Sequence, residues 1–186
     1  MVTLLEISEL WDDPDKISGN SGRKYYRRAT INWSIPRKWD ANAREFNVPP
    51  SWRGQGGLYA FIRSHWRQND DMRIAYIGKA LNFNRRLNSR HNHFDIIARR
   101  GDTTVSCGRL TFDRVRSRKG YYLEIEDIVK FCVYDWLENK QGFESLPGFR
   151  KSQPHAMMPW VIVNKGYRFG GIMPRRIAYP SIGVEF

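Results

Sequence analysis

Cysteine is nearly missing from this chain of 186 residues, which has only Cys107 and Cys132. Two thiols exclude a disulfide framework and a cysteine-based zinc site, and their apolar neighbours point to reduced core thiols. Long apolar runs are missing as well, since none approaches the ~18 residues of a membrane span. Met1 to Asp13 has acids where a secretory signal needs basic and apolar zones. Neither a span nor secretion is therefore expected, and the chain reads as cytoplasmic. The four histidines, His65, His91, His93 and His155, show no zinc spacing. No internal repeat or low-complexity tract stands out. What the chain does have is 41% hydrophobic residues, 14% of the total aromatic, enough to build a core.

Acidic residues are scarce where basic ones crowd. The formal net charge is +12. Residues 73–119 carry 12 basic side chains against 3 acidic, whereas residues 120–146 reverse to 2 against 6. A concentrated cationic field interleaved with aromatics suits a polyanion, because each neutralised phosphate releases counterions. Anionic membrane suits it less well, since no clean basic amphipathic helix is present.

The pattern of elements sharpens at Gly56. Residues 57–62 (GLYAFI) and 73–78 (RIAYIG) read as two short strands joined across the polar stretch 67–71, a hairpin with a long loop. Asn82 or Asn84 caps a helix expected to run to about Arg99. Val105 to Val115 reads as a third strand. Tyr121, Ile125, Ile128, Val129, Cys132 and Trp136 recur at three-to-four spacing, the best helix of the sequence. Trp160 to Val163 is a short buried strand, and the tail from Arg175 reads as basic and irregular. Residues 1–54, punctuated by Pro36, Pro49 and Pro50, are expected to form an arm.

Gly57-Leu58-Tyr59 and Tyr76-Ile77-Gly78 resemble the paired signatures of the GIY-YIG nucleases, in the right order and at a normal separation. Arg86, eight residues after Gly78, matches the arginine of that pattern. Glu124, or alternatively Glu126, matches its glutamate, and Asn164 its asparagine. The resemblance covers residues 56–171. The surrounding text, Gln55 to Phe61 followed by Lys79 and Ala80, is similar to the type II restriction endonuclease branch.

The resemblance implies an α+β fold. Its small core has a central, mainly antiparallel three-stranded sheet flanked by helices, over residues 55–171. An arm (1–54) and a basic tail (172–186) complete the chain. The implied activity is site-specific hydrolysis of phosphodiesters in double-stranded DNA. Tyr59 is the expected general base and Tyr76 the group positioning water or phosphate, with the opposite assignment open. Arg86 grips the scissile phosphate. Glu124 anchors Mg²⁺, for which Mn²⁺ can substitute. Asn164 holds a water or phosphate oxygen by hydrogen bonding, and Lys79 lowers a tyrosine pKa. Many relatives carry a histidine or tyrosine one helical turn after the arginine; here that position is Arg90, with His91 adjacent.

Taken singly, each of these residues has a plainer reading, as a core tyrosine or a surface arginine. His91-Asn92-His93 spells the letters of another nuclease family. Its histidines, about 200° apart on a helix, do not chelate one metal. DNA contacts are expected from Arg23, Lys24, Arg27, Arg28, Arg37 and Lys38 in the arm. Further contacts are expected from Arg85, Arg90 and His91, from Arg114, Arg116, Arg118 and Lys119, and from Arg168, Arg175 and Arg176. A restriction role implies a homodimer, so that both strands are cut, and a cognate DNA methyltransferase in the same system. The alternatives are a structure- or lesion-directed nicking nuclease and an inactive nucleic-acid-binding module of the same fold.

Overall fold

The computed structural model describes residues 26–38, 48–64, 72–87, 103–113, 116–141, 159–180 and 183–185. The strands are β1 (Arg27–Trp33), β2 (Arg37–Lys38), β3 (Gly57–Ser64), β4 (Met72–Ala80), β5 (Thr103–Asp113), β6 (Trp160–Gly166), β7 (Arg176–Tyr179) and β8 (Gly183–Glu185). One short helix, α1 (Phe83–Arg86), follows β4, and one long helix, α2 (Lys119–Gln141), follows β5. Among the described residues the protein is mixed α+β, with one large sheet and few helices.

All strands join one sheet of order β4-β3-β5-β1-β6-β7-β8, with β2 pairing beside β1 on β5. Every pairing is antiparallel except β1 with β6, where Arg27 lies opposite Trp160 and Trp33 opposite Gly166. The expected three-stranded antiparallel unit is present as β4-β3-β5, but it is less than half of the sheet. Residues 27–33, assigned above to an arm, form β1 in the sheet interior. Their alternation explains it: Ala29, Ile31 and Trp33 are buried while Arg28, Thr30 and Asn32 point the other way. The tail likewise contributes β7, whose Ile177 and Tyr179 are buried.

The main core lies between the sheet and α2. Leu58, Ala60 and Ile62 of β3, Ile74 and Ile77 of β4, and Ile31 and Trp33 of β1 meet Ile125, Ile128, Val129 and Cys132 of the helix. The three-to-four spacing read from the sequence is the stripe that α2 buries. A second, smaller cluster occupies the opposite face at the β3-β4 end. There Tyr59, Phe61, Tyr76, Val105 and Cys107 are covered by Val48, Phe83 and Leu87. Both cysteines are free and buried. Among the described residues no helix is long and apolar enough to cross a membrane.

Candidate active site

The two signature tyrosines come together because their strands are neighbours in register. Tyr59 lies opposite Gly78, and Phe61 opposite Tyr76. The phenol rings of Tyr59 and Tyr76 stand 5.9 Å apart, tilted by 33°. The signature glycines follow from close approach. A Cβ on Gly78 would sit 2.4 Å from Tyr59 Oη and 2.6 Å from Tyr76 Cε1, so the Tyr59 ring lies across Gly78 only because there is no side chain beneath it. A Cβ on Gly57 would meet the Gly108 carbonyl oxygen at 2.0 Å.

Arg86 is delivered by α1, which is a single turn. Asn82 caps it, its Oδ1 accepting the Arg85 N–H at 3.2 Å. Phe83 is fully buried, and its N–H donates to the Gln55 carbonyl at 3.0 Å, tying the turn to the start of β3. The Arg86 Nε then donates to Tyr59 Oη at 3.1 Å. The expected continuation of this helix to Arg99, including Arg90 and His91, lies outside the described residues.

Electrostatics set the states of this pair. Burial, reinforced by the neighbouring Tyr76, raises the Tyr59 phenol well above the usual tyrosine range, against the opposing pull of Arg86. Burial works against the Arg86 charge too, but Tyr59 and Tyr76 outweigh it and hold the guanidinium pKa above its ordinary value. Tyr59 is 0% exposed. A fully buried phenol that resists ionisation is poorly suited to act as a general base, the role the sequence favoured for it; the geometry makes it a mount for Arg86.

The acid beside this hairpin is Glu126. Its Oε2 accepts from Lys79 Nζ at 2.8 Å and its Oε1 from Lys130 Nζ at 2.7 Å. Glu126 and Lys130 are buried, whereas the Lys79 side chain is 35% exposed. Lys130 Nζ also lies 5.8 Å from the Tyr76 ring centroid, which links the acid to the phenols. Asp127, next along the helix, has its pKa raised by burial and by Glu126, partly offset by Lys130 and Lys79. Lys130 escaped the sequence reading, although a Glu and a Lys at i,i+4 inside an apolar stripe is a legible signal.

Glu124 and Asn164, expected at the same centre, are elsewhere. Glu124 Oε2 accepts from Trp160 Nε1 at 2.7 Å, on β6. That strand is four positions from β4 in the sheet order, about 19 Å away at ~4.8 Å per strand. Asn164, also on β6, is buried: its Oδ1 accepts from Trp33 Nε1 at 2.9 Å and its Nδ2 donates to the Pro174 carbonyl at 2.8 Å. Glu124 ties the helix to β6, and Asn164 ties β6 to β1 and to the segment before β7. Asn164→Ala is therefore expected to cost about 2 kcal/mol of stability, the order of two buried polar groups losing their partner. A denaturant midpoint unchanged from wild type would remove that structural role.

The donor set tests the expected metal. Mg²⁺ can be held by one carboxylate together with water and phosphate oxygens. Here both Glu126 oxygens accept from ammonium groups, which would also repel a divalent cation. Among the described residues no group of three or more His, Cys, Asp or Glu is gathered. As arranged, these residues do not fit Mg²⁺.

Among the expected DNA contacts, Arg37, Lys38, Arg85, Arg116, Arg118, Lys119 and Arg175 are exposed, and Arg28, Arg168 and Arg176 are half-buried. Arg27 instead hydrogen-bonds the Tyr121 hydroxyl and lies 4.9 Å from that ring's centroid, against the main core. Arg23, Lys24 and Arg114 lie outside the described residues. Comparison with protein-family models, with curated proteins and with solved structures found no match.

Proposed function

We propose that the chain is an endonuclease of GIY-YIG type that hydrolyses phosphodiester bonds in double-stranded DNA, in the role of a type II restriction enzyme acting as a homodimer. The observation that carries this reading is the cluster of Tyr59, Tyr76 and Arg86 on one face of the β3-β4 hairpin, linked by Lys130 beside the Tyr76 ring to Lys79 and Glu126 on the α2 side of the edge strand β4. Arg86 bonds Tyr59 through Nε, and Tyr76 is a second hydrogen-bond partner of the same guanidinium, so the two phenols fix the plane of the fork that arginine offers to a phosphate. Lys79 is the more open of the two lysines on Glu126 and supplies a second positive charge. Tyr76, buried beside Lys130 but at the edge strand, is the phenol left for the base role, which it would fill as the phenolate after its own proton has gone to solvent. Glu126 orients both ammonium groups. Pre-placed cations of this kind stabilise the charge that builds on the phosphorane oxygens.

One observation favours a second reading, a nucleic-acid-binding module of the same fold that does not hydrolyse: Glu126 is engaged by lysine at both oxygens. Plasmid cleavage assayed with Mg²⁺ and with EDTA separates the two. Arg86→Ala is expected to lower the cleavage rate by about a hundredfold or more, while duplex binding stays within about threefold. Arg86→Lys is not expected to restore cleavage, because a point charge does not reproduce the planar fork. No cleavage by the wild-type chain under either condition would overturn the hydrolytic reading and leave the binding one.

A further inference from the structure

The sheet face that carries Tyr59 does not end at the hairpin. Residues opposite one another in register share a face, so each cross-strand row can be followed outward from β3. Gly57, two residues before Tyr59, lies opposite Arg109, which lies opposite Asn32, which lies opposite Lys165. The next row runs Thr111, Thr30, Val163 and Arg176. The row beyond it runs Asp113, Arg28, Val161 and Ala178. Arg37 of β2 lies opposite Val105, on the same face. Helix α2 covers the other face, and here Asn32, Thr111 and Lys165 are exposed while Arg109 and Arg176 are half-buried.

We infer that the accessible part of this face, running from Arg109 and Thr111 of β5 through Asn32 of β1 to Lys165 of β6 and Arg176 of β7 and stopping short of the buried Val161 and Ala178, is a docking surface for the backbone of duplex DNA, continuous with the Arg86 site. The inference rests on the reading of the chain as one that handles DNA, and it names where the duplex lies. On these strands and β2 the face carries five cations, Arg28, Arg37, Arg109, Lys165 and Arg176, against two acidic positions, Asp113 of β5 and Glu185 of β8, which lies opposite Arg176. Thr30, Thr111 and Asn32 lie between them as neutral donors of the kind that bond phosphate oxygens. From Arg109 to Lys165 is two strands, about 10 Å. The rows carry no aromatic side chain on these four strands. A single-stranded ligand would need such rings for base stacking, so the face fits a duplex gripped by its phosphates.

The test is binding of a duplex DNA oligonucleotide over a series of salt concentrations. Lys165→Gln combined with Arg176→Gln should make the slope of log K against log salt shallower by about 1.8, at ~0.9 per phosphate contact. Lys165→Gln alone, at an exposed position, should change it by about 0.9 and guards against a folding defect in the double variant. Arg118→Gln with Lys119→Gln, two contacts expected from the sequence that lie at the start of the helix on the opposite face, should change the slope less than the sheet-face pair does. Equal slopes for wild type and the sheet-face variants, in a protein that still cleaves plasmid, would overturn this surface and leave the hydrolytic reading intact. A loss of slope confined to the Arg118/Lys119 variant, or tighter binding of single strands than of duplex, would overturn it as well. A wild-type chain that binds no duplex DNA would overturn both readings together.

Discussion

Glu126→Gln is expected to lower phosphodiester hydrolysis by about two orders of magnitude or more, while Glu124→Gln leaves it within about threefold. The two glutamates are two residues apart on α2, yet they reach different strands of the sheet, β4 and β6. Glu126 anchors Lys79 and Lys130 beside the tyrosine hairpin, and Glu124 accepts the indole N–H of Trp160. Stability should respond as well. Removing one member of a buried ion pair leaves an uncompensated charge, at a cost of about 3–5 kcal/mol, and Lys130 is buried here. Loss of activity through unfolding is therefore separable from loss of chemistry. Glu126→Gln combined with Lys130→Met should recover much of the stability and none of the hydrolysis. If Glu124→Gln proves the inactive variant, the site has been placed on the wrong flank of the helix.

Alkali should unfold the protein in a way that two substitutions dissect. Burial pushes the Cys107 thiol up to about 12, with Arg37 pulling the other way. An acid whose pKa is raised by folding holds its proton more tightly in the native state. Its contribution is whole below the unfolded thiol's ~8.5 and is lost as pH rises toward the folded value. At ~1.4 kcal/mol per pH unit, the loss would reach about 4 kcal/mol by about pH 12. Tyr59, also raised chiefly by burial, adds a second loss of the same sign that begins above the unfolded phenol's ~10. Denaturant midpoints measured from about pH 8 to 11 should fall for wild type, flatten between about 8.5 and 10 in Cys107→Ala, and fall less steeply than wild type above about 10 in Tyr59→Phe, where the thiol loss continues alone. Parallel curves for wild type and Cys107→Ala would show that the thiol is not held in its neutral form by the fold.

The parts of this architecture that could be read from the sequence are those where local pattern and tertiary role agree. The run GLYAFI and the stretch RIAYIG are buried strands, and their signature glycines mark close approaches between them. The α2 stripe was visible because a helix covering one sheet repeats at the period of its own turn. Strand β1 was missed because its short alternation, Ala29, Ile31 and Trp33, is embedded in a basic, proline-punctuated stretch. Its partners, β5 and β6, are distant in sequence. The choice between Glu124 and Glu126 was left open for a different reason. Helical periodicity places them on opposite flanks of the stripe, but which flank faces β4 depends on how the helix crosses the sheet, and no local pattern encodes that. The basic sheet face was hidden for the same reason, since Arg109, Lys165 and Arg176 become neighbours only once the strands are ordered.

The parallel pairing of β1 with β6 has a consequence for how the chain is made. The bond from Trp33 to Asn164 closes a separation of 131 residues. A ribosome adds ~5–20 residues per second, so β1 waits several seconds beside its tunnel for a partner not yet synthesised. Until then one side of β1 has no ladder to join. Nascent chains stalled before residue 160 should accordingly recruit chaperones and resist folding, whereas chains released after β7 should close in one cooperative step.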